Sequence, residues 1–243
     1  MTRFVFRPDV PRFLAAARRE LGAVAALALV AGGLLAFLGI ADEMAEGDTH
    51  GFDMAVLASL RAPGHPDQLV GPNWLHIAAV DVTALGSVAV LGLVVLFAVA
   101  LMLCLKRWAE ALTLLAGAVG GVEISQAVKH LFGRERPDLA YRAVEAANAS
   151  FPSGHAMLSA VVFLTLGTLA ARFATLKRVK ILAITAGVVM SLLVGASRIY
   201  LGVHWTTDVL AGWSLGAVWA MVCWLAAWAW ERRVLRPSTA LQG

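Results

Sequence analysis

Six long apolar runs constrain this 243-residue chain more than any other feature: Leu21–Ile40, Leu85–Leu105, Ala109–Val128, Ala156–Ala171, Ile181–Ala196 and Val209–Trp230. A helix needs about 20 mainly apolar residues to cross the hydrocarbon core of a bilayer. A helix also satisfies its own backbone polar groups, which lipid cannot do for it. The fourth and fifth runs are short by this measure and are expected to draw residues from their flanks. The chain is 60% hydrophobic and 15% charged, against about 25% charged in an ordinary soluble domain. The expectation is therefore an all-α, polytopic membrane protein with six transmembrane helices in one bundle, a single domain over residues 1–243. The first run exceeds the roughly 7–15 apolar residues of a secretory signal, so it reads as a retained anchor. Cys104 and Cys223 both lie inside apolar runs, which excludes a disulfide framework or a cysteine-ligated zinc.

Basic residues mark the cytoplasmic ends of membrane helices. With the N-terminus inside, fourteen of the 20 Lys and Arg fall on that side: in residues 1–20, at Lys106 and Arg107, between Arg172 and Lys180, and in the tail 231–243. The first outside loop, 41–84, is acidic, with Arg61 alone against Asp42, Glu43, Glu46, Asp48, Asp53 and Asp67 in its first part. Both termini are thus expected in the cytoplasm. A net charge of +4 spread this way speaks for membrane orientation and not for a nucleic-acid partner. The loop 129–155 breaks the rule: Lys129, Arg134, Arg136 and Arg142 gather on the outer side. Cations there call for an anion, whether a ligand or an anionic lipid headgroup.

Within loop 41–84, Met54, Val56, Leu57 and Leu60 would line one face of a short interfacial helix, broken by Pro63, Pro66 and Pro72. Gly117/Gly121 and Gly212/Gly216, small residues spaced by four, would let the third and sixth spans pack closely.

Three polar clusters interrupt the apolar chain, and six spans bring all three to one membrane face. The first runs from Lys129 to Arg136-Pro137; a continuous helix would set the two cations on one side, two turns apart, and arginine matches phosphate or carboxylate oxygens with two parallel N–H groups. Pro137 would stop the helix or turn the chain. The second is Pro152-Ser153-Gly154-His155, just ahead of the fourth run, where backbone N–H groups and the helix dipole favour an anion and glycine allows close approach. The third is Ser197-Arg198, then His204 and Asp208 four residues apart, a spacing at which a carboxylate holds an imidazole in one tautomer.

The pattern Lys-x6-Arg-Pro, Pro-Ser-Gly-His and Ser-Arg-x5-His-x3-Asp resembles the three signature motifs of the type 2 phosphatidic acid phosphatase superfamily, with every specified residue present. The likeness extends over roughly residues 80–230, including the Asp81 to Ser87 run that bacterial relatives carry before their second span. It implies a membrane phosphatase of the bacterial cytoplasmic membrane, its site facing outside, acting on a lipid phosphate or diphosphate in the outer leaflet. Undecaprenyl diphosphate, phosphatidic acid, phosphatidylglycerol phosphate and lipid A phosphates are the candidates, and the motifs do not choose among them. The resemblance makes His204 the nucleophile that forms a phosphohistidine, Asp208 its orienting carboxylate and His155 the general acid. Lys129, Arg136, Ser153, Gly154 and Arg198 would hold the phosphoryl oxygens. It implies no metal and no other cofactor. Pro137, Pro152 and Ser197 stand as supporting positions.

Glu123, inside the third span, is a candidate partner for Lys129 or Arg136. Arg134 and Glu135 are expected to shape the loop, and His130 to be interfacial. Two rival functions stay open: phosphotransfer by the same residues to an acceptor other than water, and a non-enzymatic transporter or lipid scaffold. Transporters place their polar groups near the bilayer midplane, whereas these lie at one interface. The oligomeric state is undetermined.

Overall fold

The computed structural model describes residues 10–146 and 148–234. Eight α-helices occur among them: α1 Val10–Glu46, α2 His50–Ser59, α3 Asn73–Ala84, α4 Val88–Cys104, α5 Trp108–Phe132, α6 Gly154–Phe173, α7 Lys177–Tyr200 and α8 Thr206–Val234. Five of them contain stretches long and apolar enough to cross a membrane, within α1, α5, α6, α7 and α8. The second apolar run behaves differently. It becomes α4, only 17 residues long, preceded by α3 across a 53° bend. Ser87 begins α4, its hydroxyl accepting the Val90 N–H at 3.2 Å, so the break falls where a polar cap interrupts the run. The short fourth and fifth runs do lengthen from their flanks, to 20 and 24 residues.

Loop 41–84 is not plain loop. It holds α2, α3 and a two-stranded antiparallel hairpin, β1 Arg61–Ala62 with β2 His65–Leu69. This is the one departure from an all-α chain among the described residues.

Helix α6 is the axis of the bundle, with buried residues around its whole circumference. On one side α4 and α5 meet it through Leu91, Val95, Leu114, Leu158 and Val162. On the other, α1 and α8 close over it through Phe37, Phe151, Met157, Ala211 and Leu215. The glycine pairs allow this. Gly117 and Gly121 face Val161 of α6, and Gly212 and Gly216 lie against the Ser153 and Met157 carbonyls, so both stripes press on α6 and not on each other. The outer faces carry large exposed apolar residues, Leu35 and Phe97 both 71% exposed, as surfaces in contact with lipid do.

Candidate active site

The polar residues collect at one end of the bundle, where α5 and α7 finish and α6 and α8 begin. Helix α5 ends at Phe132 because Gly133 adopts a left-handed conformation (φ 58°) and donates its N–H to the Lys129 carbonyl at 3.1 Å, a C-terminal cap that glycine forms without steric penalty. Arg136 therefore lies beyond the helix, and the expected one-faced pair two turns apart is not what forms. The loop instead doubles back. Lys129 donates to the Ala149 carbonyl at 2.6 Å, while Arg136 donates from Nε to Asn148 O at 3.0 Å and from Nη1 to Val203 O at 2.6 Å. The two cations meet through a segment some 15 residues further along the chain.

Ser153 caps α6, accepting the Ala156 N–H at 3.5 Å, and its own N–H donates to the Asp208 backbone carbonyl at 2.9 Å. That bond locks the start of α6, with Gly154 and His155, to the start of α8. The Asp208 carboxylate reaches back to accept the Trp205 N–H at 2.9 Å, one half of a capping box. The same oxygen, Oδ2, stands 3.3 Å from His204 Nδ1 and accepts a hydrogen bond from the Ser150 hydroxyl. On the far edge of the imidazole, Arg136 Nη1 lies 3.1 Å from Nε2. A guanidinium can only donate, so Nε2 carries the lone pair and Nδ1 the proton, facing Asp208. Burial pushes the His204 pKa from 6.5 down to about 3, against the support of Asp208, so the ring is neutral near pH 7. Burial likewise works against the charge of Arg136, which Asp208 supports.

Arg198, at the end of α7, is buried and donates to the Thr83 hydroxyl at 2.9 Å, while its Nε has no hydrogen-bond partner among the described residues. An unpaired buried N–H on a cation suits an anionic ligand. Thr83, Gly86 and Ser87 give the Asp81 to Ser87 run its structural meaning: one holds Arg198, one lets His155 approach (an added Cβ would stand 3.2 Å from it), and one starts α4. Lys129, Arg136 and Arg198 all exert their charge on His155.

The supporting positions divide. Pro137 and Pro152 are buried, and the Pro137 carbonyl accepts Arg142 Nε at 2.6 Å. Ser197 is buried but returns its hydroxyl to Val194 O in its own helix. Glu123 does not join the site: it lies on the exposed face of α5, two residues off the buried stripe Gly121, Ser125, Lys129, and Lys129 turns to Ala149 instead. His130 is exposed. Arg134 does more than shape its loop: it binds Asp208 Oδ1 and Asp53 Oδ2, each at 2.7 Å. Asp53 had one available signal, a carboxylate one turn before Leu57 on the apolar face of α2; Ser150 had none.

A polar cavity of about 760 Å³ opens at this end beside Arg134, Arg136, Arg142 and Trp205. An apolar groove of about 340 Å³ runs between α4, α5 and α6, lined by Leu91, Val95, Leu115, Leu158 and Val162; Leu158 is one turn beyond His155. Among the described residues no cluster of three His, Cys, Asp or Glu side chains is placed to hold a metal ion.

Residues 87–232 match the PAP2 superfamily model, and the chain belongs to that superfamily. Among its relatives, phosphatidylglycerophosphatase B of Bacillus subtilis strain 168 is 36% identical over 151 residues, 61% of this chain and 73% of that protein. An undecaprenyl-diphosphatase of Sulfolobus acidocaldarius is 37% identical over 68 residues, 28% of this chain and 29% of that one. The crystal structure of the transmembrane PAP2-type phosphatidylglycerolphosphate phosphatase from Bacillus subtilis superposes with a TM-score of 0.73 at 27% identity, covering 86% of this chain and 98% of that one.

Proposed function

We infer that this protein is a lipid phosphatase: a single membrane-embedded domain of the bacterial cytoplasmic membrane, with both termini in the cytoplasm and its site at the outer face. The observation that carries the reading is the oriented imidazole of His204, Nδ1–H toward Asp208 and the Nε2 lone pair toward Arg136. In the mechanism this supports, a phosphoryl oxygen takes the Arg136 N–H and uncovers Nε2. The lone pair then attacks phosphorus, the bond to the lipid oxygen breaks, and His155 supplies that oxygen with a proton. Asp208 steadies the positive charge on the phosphorylated ring. Water, deprotonated by His155, next cleaves the phosphorus–nitrogen bond and releases phosphate. Lys129, Arg136, Arg198 and the α6 N-terminus at Ser153 and Gly154 bind the three phosphoryl oxygens, whose charge is greatest in the transition state.

The reading assigns no metal. The phosphoryl-binding groups are three cations and a helix N-terminus, which supply the electrophilic stabilisation a metal would otherwise give. The pairing of a polar cavity at Arg136 with an apolar groove that includes Leu158, one turn beyond His155, suits a substrate whose headgroup is wet and whose tail stays in the bilayer. The relatives' activities make phosphatidylglycerol phosphate and undecaprenyl diphosphate the first substrates to try, with phosphatidic acid and lipid A phosphates after them.

The test is phosphate release from those lipids in detergent with EDTA present, wild type against His204→Ala. Release that needs His204 and survives EDTA is expected. Release by His204→Ala at the wild-type rate would refute the nucleophile, and no release by folded wild type would refute the phosphatase.

A further inference from the structure

Two carboxylates, Asp53 of α2 and Asp208 of α8, are both fully buried, and a buried charge must be compensated. One guanidinium serves both. Arg134 Nη1 donates to Asp208 Oδ1 and Nη2 to Asp53 Oδ2, each at 2.7 Å. Thr207 fills the space between: its N–H donates to Asp53 Oδ1 at 3.0 Å and its hydroxyl to Asp53 Oδ2 at 2.6 Å. Arg134 also donates to the Thr207 and Thr49 hydroxyls, at 2.8 and 3.3 Å.

The division of labour on Asp208 matters for the chemistry. Its Oδ1 is held by Arg134, which leaves Oδ2 for the Trp205 N–H, the Ser150 hydroxyl and His204 Nδ1. A carboxylate released from Arg134 could rotate, and the imidazole would follow it. Arg134 is itself a long side chain with several rotamers, and Asp53 with Thr49 fixes the arm that does not touch Asp208. There is an electrostatic consequence too. A lone guanidinium on Oδ1 would draw negative charge away from Oδ2, whereas one shared with Asp53 leaves Asp208 a strong acceptor as charge develops on His204.

We propose that Asp53 is a positioning residue for the reaction: it anchors Arg134, Arg134 sets the plane of Asp208, and Asp208 aims His204 Nε2 at phosphorus. This rests on His204 being the nucleophile. Asp53 lies outside residues 87–232, the part that matches the family model, so the segment ahead of the matched region contributes to the framework of the site. The contrasting role is a mere staple of α2 onto α8, which would alter stability and leave turnover per folded molecule unchanged.

The experiment uses the full-length protein in detergent and the lipid phosphate that wild type hydrolyses. Asp53→Asn, Arg134→Gln and the double variant are compared with Asp48→Asn, which removes a charge from an exposed neighbour. Each is scored for kcat, KM, the inhibition constant of inorganic phosphate and melting temperature. Asp53→Asn should lower kcat by about tenfold to a hundredfold, the range that misplacement of a reacting group produces. KM and the phosphate constant should stay within about twofold, because Lys129, Arg136 and Arg198 are untouched. The double variant should be no slower than Arg134→Gln, since residues acting in series are not additive. An unchanged kcat with a lowered melting temperature would overturn the proposal in favour of the staple, and a double variant slower than Arg134→Gln would show Asp53 acting by another route. If Asp53→Asn does not accumulate folded, Asp53→Glu takes its place: it keeps the charge opposite Arg134 but displaces the carboxylate in a fully buried site, so kcat should again fall at unchanged KM, and an unchanged kcat would overturn the proposal. Full activity in His204→Ala, or none in wild type, would instead bring down the proposed function on which this depends.

Discussion

Substituting Gly212 by alanine tests how closely the chemistry depends on helix packing. A Cβ at this position would stand 2.7 Å from the Ser153 carbonyl oxygen, 3.1 Å from Ala156 Cβ and 3.3 Å from the Met157 nitrogen. Ordinary contact begins near 3.4 Å, so α6 and α8 must part locally by about 0.7 Å. Two of the three neighbours are backbone atoms, which cannot rotate aside. Overpacking of this kind costs about 1–3 kcal/mol. The displaced segment holds Ser153, Gly154 and His155 and is bonded to Asp208 through Ser153 N–H. A misplacement of about 1 Å at a reacting centre costs on the order of a hundredfold, so kcat should fall by about tenfold or more as the melting temperature drops. The control is Gly39→Ala in α1, where nothing lies within 4 Å; it should keep full turnover. The assay is phosphate release together with thermal unfolding, both in the same detergent. Wild-type kcat and melting temperature in Gly212→Ala would refute the argument that close α6–α8 contact sets the site.

Arg136→Lys should lower kcat/KM by about a hundredfold, the usual cost of one lost transition-state donor, because one ammonium cannot replace a guanidinium that reaches Asn148 O, Val203 O and His204 Nε2 together; wild-type kinetics would contradict this. His204 has a pKa near 3 in the folded protein against 6.5 in a model peptide, so below pH 6.5 the unfolded chain takes up a proton that the folded one refuses. Stability should therefore fall with acidification from about pH 6.5 toward 3, by at most about 1.4 kcal/mol per pH unit from this residue, and thermal melts of His204→Gln should show a shallower slope. Vanadate, which mimics five-coordinate phosphorus, should inhibit, and Arg198→Ala should weaken that inhibition; an unchanged inhibition constant would put the vanadate elsewhere.

The helices were legible because the bilayer imposes one length and one composition on anything that crosses it. That constraint is local, so each apolar run became a helix. The second run folds as α4, which Ser87 caps, and it meets the preceding α3 across a bend, so that the two together are long and apolar enough for a sixth span. The candidate site residues stand out for a different reason. Histidines, arginines and a lysine at helix ends stand out in an apolar chain, and their motif spacings carry chemistry. Glu123 shows the limit of that reading: an acidic residue inside an apolar run is conspicuous, but α5 turns it to the exposed face.

Apolar run lengths and motif spacings were enough to specify a helical membrane protein of the PAP2 superfamily and to mark the residues that gather at one end of its bundle. How those residues meet follows from packing alone. Lys129 and Arg136 converge through Gly133 and the Ala149 carbonyl, and not along one helical face. Arg134 proves to be a clamp between Asp53 and Asp208, residues separated by more than 150 positions. Apolar periodicity and motif spacing are short-range properties of a chain. A buried carboxylate's choice of partner depends on which charges the packed helices bring within about 3 Å, and no local pattern encodes that.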